Sequence, residues 1–385
     1  MKARRSLLIL ASLILVTAYP ALAQDKIGDT VYLEGGVSLE RGGQQLDQSE
    51  VQTGLAIENF DIVRTGPDGL AEVTIDNPKA PAMTVKVSPR TQFSFELSRL
   101  ESRQQTSVGL SGGTISLKVG KLTGTQDLNV VLDNAVMGVR GTEFSVTSTP
   151  SGDLLVLCTT GDVVLTDENG KEVHAIPGTA IEKLAGGRFN TVTVGSADPG
   201  DFRNKWEDAR IAALKANALE VIQREVQSYD RLQDEFTEEY AALQEKREIL
   251  ARWETEEKNG TIPAGADVGK EKAEIADILA DLRETQFLLQ RAHFRLLGLK
   301  ELHDQGFGDG DLGRGLTANA FFVRFEKDRA ELEREMASVR AAVRLLVHRN
   351  NGHDPTVVVD LKKFRERRLA HLRRLEHRRL VKKPA

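Results

Sequence analysis

The chain has 385 residues, a formal net charge of −5 and one cysteine. That length suits about two domains, and a lone thiol excludes an internal disulfide, so core packing must carry stability. The mild acidic balance gives no general attraction to nucleic acid, and any basic surface has to be local.

In chain order, residues 1–23 come first. Lys2, Arg4 and Arg5 precede an apolar stretch from Leu7 to Ala18, then Pro20 and Ala21-Leu22-Ala23 before Gln24. This pattern predicts a cleavable secretory signal peptide. Gln24 in place of cysteine predicts no lipid anchor, and no later run reaches about 18 apolar residues. The expected address is the periplasm, as a soluble protein.

Residues 24–194 are rich in Gly, Thr and Val, and apolar residues alternate along short runs such as Met83-Val85-Val87, Phe93-Phe95-Leu97 and Ile115-Leu117-Val119. Period two with glycine-bearing turns between runs predicts an all-β domain of about a dozen short strands: a sandwich, a roll or a solenoid. Leu154-Leu155-Val156-Leu157-Cys158 is apolar throughout and predicts a strand buried on both faces. Cys158 is then an inert core residue.

Two stretches in this half carry a family resemblance. Met137-Gly138-Val139-Arg140-Gly141-Thr142-Glu143-Phe144-Ser145-Val146 resembles the core motif of the FecR domain. Upstream, Asp61-Ile62-Val63-Arg64-Thr65-Gly66 followed by Gly69-Leu70-Ala71-Glu72-Val73 is similar to the family's D-x-x-x-T-G … G-x-A stretch. The resemblance spans roughly residues 27–185 and implies an all-β module with solenoid-like or sandwich-like winding. Regulators of the family sit in the inner membrane and relay a signal from an outer-membrane receptor to a cytoplasmic sigma factor. With a signal peptide at residues 1–23, the FecR-like region is expected to follow it almost directly, an arrangement that would leave out the anti-sigma segment and membrane helix of those regulators. Secreted members that join the module to helical segments resemble envelope interaction proteins.

The glycines of the motif allow a tight corner, and Arg140 and Glu143 are placed to pair across it. Two readings stand: a corner needed to fold the module, or a partner-binding edge made of Gly138, Val139, Arg140, Gly141, Thr142, Glu143 and Phe144.

Residues 195–200, Gly-Ser-Ala-Asp-Pro-Gly, read as a linker, with Asp201 as a candidate helix cap. Residues 201–350 then predict three helices that fold back as an antiparallel coiled-coil bundle, with pairing between chains, a homodimer, as the rival. The first runs from Asp201 to about Lys258 as one nearly straight helix through Ile211, Leu214, Ala218, Ile222, Val226 and onward. The second, about 269–302, carries a heptad seam through Ile275, Ile278, Leu282, Thr285 and Leu289. The third, about 318–348, uses Phe322, Phe325, Leu332, Met336 and Val339, with Arg329 as its one break. Glu238, Glu239, Glu245, Glu256 and Glu257 read as a solvated surface, and His293 as a satisfied bundle residue. Asp304, Asp309 and Asp311 lack a calcium-loop frame, and His348 and His353 lack zinc-ligand spacing.

Residues 351–385 predict a basic amphipathic helix. From 361 on there are eleven Lys or Arg residues against Glu366 and Glu376, with Leu361, Phe364, Leu369, Leu372 and Leu375 interleaved as a stripe. Lys362, Lys363, Arg365, Arg367, Arg368, Arg373, Arg374, Arg378 and Arg379 are candidates for an anionic membrane surface or an acidic partner. The alternative is docking of the stripe onto the bundle, with the charges facing the acidic stretch 230–257. Nucleic acid is not an expected partner of an exported chain.

There is no H-E-x-x-H, P-loop or G-x-S-x-G motif and no Cys–His arrangement, so neither catalysis nor a cofactor is expected. The leading expectation is a periplasmic binding or scaffolding protein that engages a protein or envelope component. An accessory of FecR-type envelope signalling is the alternative, and a cell-wall glycan enzyme comes a distant third.

Overall fold

The computed structural model describes residues 26–100, 103–122, 124–194, 198–261, 266–354 and 364–367. The expected signal peptide and most of the basic tail lie outside the described residues.

Among the described residues the first half forms seventeen strands. They begin with β1 (Lys26–Glu34), β2 (Val37–Arg41), β3 (Gln44–Gln45), β4 (Ala56–Glu58), β5 (Ile62–Thr65) and β6 (Leu70–Ile75). Next come β7 (Met83–Val87), β8 (Gln92–Leu100), β9 (Arg103–Val119), β10 (Gln126–Val131), β11 (Val136–Val139) and β12 (Glu143–Ser148). The last are β13 (Leu154–Thr160), β14 (Val163–Thr166), β15 (Glu172–Ala175), β16 (Thr179–Lys183) and β17 (Asn190–Thr193). The count exceeds the expected dozen because strands such as β3, β4 and β17 are too short to show alternation.

The pairings resolve into two ladders. One runs β4-β1-β6-β7-β9-β12-β13-β16-β17 and is antiparallel throughout. The other runs β3-β2-β5-β8-β9-β10-β11-β14-β15, with β9–β10 as its one parallel pair among the described residues. β9 belongs to both. Its first part pairs with β8 up to Gly112, and its second pairs with β12 from Gly113. The alternating apolar residues of both ladders fill one core, with Val73, Val85, Leu117 and Val146 from the first and Phe93, Phe95, Val130 and Leu165 from the second. The two ladders thus face each other like the layers of a sandwich.

Gly113 makes the crossing of β9 possible. Its φ is +92°, and a Cβ there would lie 2.3 Å from Thr91 Oγ1 and 2.5 Å from Arg90 O. Only glycine fits both the conformation and the space.

The helices are α1 (Pro199–Ala216), α2 (Ala218–Gln244), α3 (Arg247–Lys258), α4 (Ala266–Asp304) and α5 (Ala318–Arg349). The expected single straight helix from 201 to 258 is therefore three. Asn217, where α1 gives way to α2, shares its N–H between Ala213 O and Leu214 O, and its side chain donates to Ala213 O. Such local bonding competes with a regular ladder. At the second break Lys246 N reaches back three residues to Leu243 O, a tightened turn. Asp198 caps α1 by accepting from Gly200 N at 2.9 Å, with Pro199 as the first helical residue. Asp201, the expected cap, instead pairs with Lys205 inside the first turn.

α4 lies antiparallel to α2, with Glu239 beside Thr285 and Lys246 beside Glu274. It is antiparallel to α5 as well, with His293 beside Glu333 and Gln286 beside Met336 O. Along α4 the seam is Ile275, Leu279, Leu282, Thr285, Leu289, Leu296 and Leu299, so Leu279 takes the place expected for Ile278. Glu239 and Glu257 are not solvated. They are 9% and 6% exposed, and Glu257 binds Arg344 through both oxygens at 2.9 and 2.7 Å. Arg329 lies beside Glu333, which accepts from its Nε at 3.2 Å.

Candidate functional site

Both family-like stretches lie where the chain passes from one ladder to the other. Thr65-Gly66-Pro67-Asp68-Gly69 joins β5 to β6, and Arg140-Gly141-Thr142 joins β11 to β12. The polar groups of the first stretch are engaged within the fold. Asp61 is fully buried, accepts from Arg41 at 2.7 and 3.1 Å and accepts from Glu58 N at 2.8 Å. Burial pushes its carboxyl up from the ordinary range even with Arg41 upon it. The Thr65 hydroxyl donates to Ser88 O (2.6 Å) and accepts from Thr91 N (3.0 Å). A Cβ at Gly69 would lie 2.2 Å from Gly36 O.

In the second stretch, Val139, Thr142 and Phe144 are buried, Gly138 is half-buried, and Arg140, Gly141 and Glu143 are exposed. Gly141 has φ +60°. Thr142 O accepts from Val119 N at 2.9 Å, tying the corner to the end of β9. No ion pair joins Arg140 to Glu143 among the described residues. Folding needs account for the buried positions of this stretch, and its accessible remainder is Arg140, Gly141 and Glu143.

The helical half is fastened to the β half at several places. Trp206 of α1 packs on Leu155, Leu157, Ala180 and Val194, and its Nε1 donates to Glu182 at 3.0 Å. This contact covers the outer face of β13, the strand expected to be buried on both sides. Next to it Glu207 accepts from the hydroxyls of Thr114 (3.1 Å) and Thr147 (3.2 Å). On α4 and α5 arginines reach the β half: Arg283 to Glu96, Arg295 to Asp133 (2.8 Å), and Arg340 to Glu40. Arg291 has no carboxylate among its hydrogen-bond partners in the described residues. It donates to Val131 O and Phe287 O and stacks on Phe287, and burial brings its guanidinium down to about 10.

Between these attachments α1, α4 and the strand ends enclose a cleft of about 1050 Å³. Its floor is Gly112–Thr114 and Thr147–Pro150, one wall is the Arg203, Glu207, Arg210, Ile211 and Leu214 face of α1, and the facing wall is Phe294, Leu297, Gly298 and Glu301 of α4. Arg64, Thr65, Gly66 and Pro67 of the first family-like stretch border it; the second stretch does not. Ile211, expected in the helical core, faces this cleft and is 45% exposed. Arg210 and Lys215 carried no signal in the sequence beyond ordinary helix charges.

Of the tail, Phe364 is buried against Val131, Val136, Phe287 and Leu288. Arg365 donates to Asn169 (2.7 Å) and Arg367 to Glu284 (2.6 Å), so these two candidates turn toward the protein and away from the acidic stretch 230–257. Lys362, Lys363, Arg368, Arg373, Arg374, Arg378 and Arg379 lie outside the described residues. Among the described residues no group of three or more His, Cys, Asp or Glu could hold a metal ion. Asp309 and Asp311 accept from the loop N–H groups of Gly310 and Gly313. His353 N donates to Asn350 O, and His348 lies 3.8 Å from Glu257. Cys158 is buried, and burial pushes its thiol up. No helix among the described residues is long and apolar enough to cross a membrane.

Residues 61–164 match the model of the FecR protein family, and the match includes both stretches quoted above. This segment is a FecR domain. It covers just over a quarter of the chain. Two crystal structures of a candidate anti-sigma factor from Parabacteroides distasonis ATCC 8503 are similar to part of the chain. One is 14% identical over 34% of this chain and 59% of its own, with a TM-score of 0.28. The other is 16% identical over 34% and 53%, with a TM-score of 0.22. The chain thus spans less than two thirds of either structure's length. No curated protein matches it.

Proposed function

We propose that this protein is a non-catalytic regulatory component of the cell envelope, exported to the periplasm, that takes part in FecR-type signalling through contacts with another protein. The observation that carries the reading is the FecR domain at residues 61–164, a regulatory module, joined to a helical half that packs against it. The domain would supply a rigid platform. The helical half, read as an antiparallel bundle, would supply the variable contact surface. A passive scaffold is the second reading. It draws on the same closely packed halves, and the family relationship favours the signalling role over it.

Deletion of the gene separates the two. A signalling component predicts altered transcription of a defined set of envelope genes with normal cell shape, and unchanged transcripts with altered shape or assembly would overturn it in favour of the scaffold. Crosslinking probes for a partner belong at exposed Arg140 or Glu143, because Thr142 faces inward.

A further inference from the structure

The cleft between α1, α4 and the ends of β9 and β12 is a built feature that neither the fold nor the family-like corners require. The geometry points to this cleft as the docking site of an acidic, partly apolar peptide segment of a partner protein. This inference deepens the proposed signalling role, resting on it only for the existence of a protein partner.

Three observations carry it. The first is size: about 1050 Å³ lies just above the roughly 300–1,000 Å³ of small-molecule sites and leaves room for a stretch of polypeptide. The second is charge. Eight basic side chains line the cleft against four acidic ones, on a chain whose net charge is −5. All four acidic groups are paired, and so are six of the basic ones: Glu207 with Arg203, Glu301 with Arg90, Asp304 with Lys300, Glu326 with Arg329, and, beyond the cleft, Arg64 with Glu40 and Arg295 with Asp133. Arg210 and Lys215 have no acidic partner among the described residues. The third is an exposed apolar side chain among these cations: Ile211, next to Arg210 on the same wall, is 45% exposed.

Apolar groups stand beside these cations. Ile211 is exposed next to Arg210, and Phe294 and Leu297 face it from α4. A segment that alternates carboxylate and aliphatic side chains would meet both, with shelf contacts giving burial and the cations giving register and sign. Lys215 lies over the Phe307 ring at 5.0 Å, which holds its ammonium at one end of the α1 wall.

The test is fluorescence anisotropy with a labelled peptide of alternating glutamate and leucine, titrated into the full chain at low salt. Saturable binding is expected, weakened roughly tenfold by the double substitution Arg210→Gln and Lys215→Gln and unchanged by Lys171→Gln, an exposed residue between β14 and β15 that does not line the cleft. Ile211→Glu, at an exposed position, is expected to abolish binding, and it decides the matter should the double variant melt early. Absence of saturable binding, equal binding of a lysine–leucine peptide, or equal loss with Lys171→Gln would overturn the proposal. So would a labelled oligonucleotide that binds more tightly through the same residues. In cells, a transcriptional effect of deletion that Ile211→Glu fails to reproduce sinks the cleft and spares the signalling role. Peptide binding without any effect of deletion on transcription does the reverse.

Discussion

Gly113 and Gly54 form a matched pair that isolates the crowding at the β9 crossing from backbone preference. Their φ values are +92° and +89°, so alanine meets nearly the same conformational penalty at either, about 1–2 kcal/mol. Their surroundings differ. A Cβ at 54 meets nothing within 4 Å, whereas at 113 it meets Thr91 Oγ1 at 2.3 Å and Arg90 O and Thr91 Cα at 2.5 Å. Two of these three atoms are backbone and cannot rotate away. Thr91 is fully buried, and its hydroxyl accepts from Thr114 N at 2.9 Å. Relief of the clash therefore breaks this link or straightens β9. Each lost bond costs about 0.5–1.5 kcal/mol, and a stranded buried group costs more. Gly113→Ala is expected to lose about 3–5 kcal/mol in all. Guanidinium denaturation followed by tryptophan fluorescence measures both variants through the midpoint at constant slope. Equal losses at the two positions would refute the argument that steric closure at the crossing fixes the glycine.

The remaining predictions concern the attachments and the buried charges. Arg283 is 11% exposed and pairs with Glu96 and with Asp354, itself 1% exposed. Arg283→Ala should cost about 3–5 kcal/mol by taking the guanidinium away from both carboxylates, and a loss below about 1 kcal/mol would show the pairing to be dispensable. Phe364→Ala should speed hydrogen exchange at Val131 and Val136, which Phe364 covers; unchanged protection would mean that the tail contact is not formed in solution. Burial disfavours the charged form of Glu333, but the hydrogen bond from His293 and the Arg64 and Arg329 charges outweigh it and hold the carboxyl near 2. With its folded value depressed, Glu333 contributes stability that is present above about pH 4.5 and lost as pH falls toward 2, at most about 3 kcal/mol. Glu333→Gln should flatten that ramp in a pH series of thermal melts, and an unchanged ramp would assign it to other carboxylates. Burial also lowers the pKa of His293, which likewise removes stability as pH falls below about 6.5.

What could be read from the sequence tracks how local the signal is. The β half was legible because Met83-Val85-Val87 and Ile115-Leu117-Val119 alternate with the strand period and bury as that period requires. The run Leu154–Cys158 announced a second cover for its outer face, without naming Trp206 as that cover. Helix positions were also legible, because the seams on α4 and α5 recur at three and four. The interruptions at Asn217 and Lys246 were not, since neither Gly nor Pro marks them. Glu239 and Glu257 misled for a physical reason: a buried carboxylate with a partner distant in sequence looks the same in the chain as a solvated one. The cleft was illegible because it is formed by the relative placement of α1 and α4.

The attachment of the two halves did leave one trace. Arg283, Phe287, Arg291 and Arg295 recur every four residues along α4, on a flank of the helix beside its apolar seam. All four contact the β half or the tail that docks on it: Glu96, Val131 O and Asp133 receive the arginines, and Phe287 packs with Phe364. α4 is therefore a middle layer, packed by leucine against α2 and α5 and by arginine against the strands. Leucine contacts alone would allow a helical half that stands by itself. The arginine stripe does not, because Arg291 and Arg295 reach Val131 and Asp133 only when α4 lies on β10 and its following turn. Separation would strand those guanidinium groups and the carboxylates opposite them, at a cost that grows with each pair left unmet.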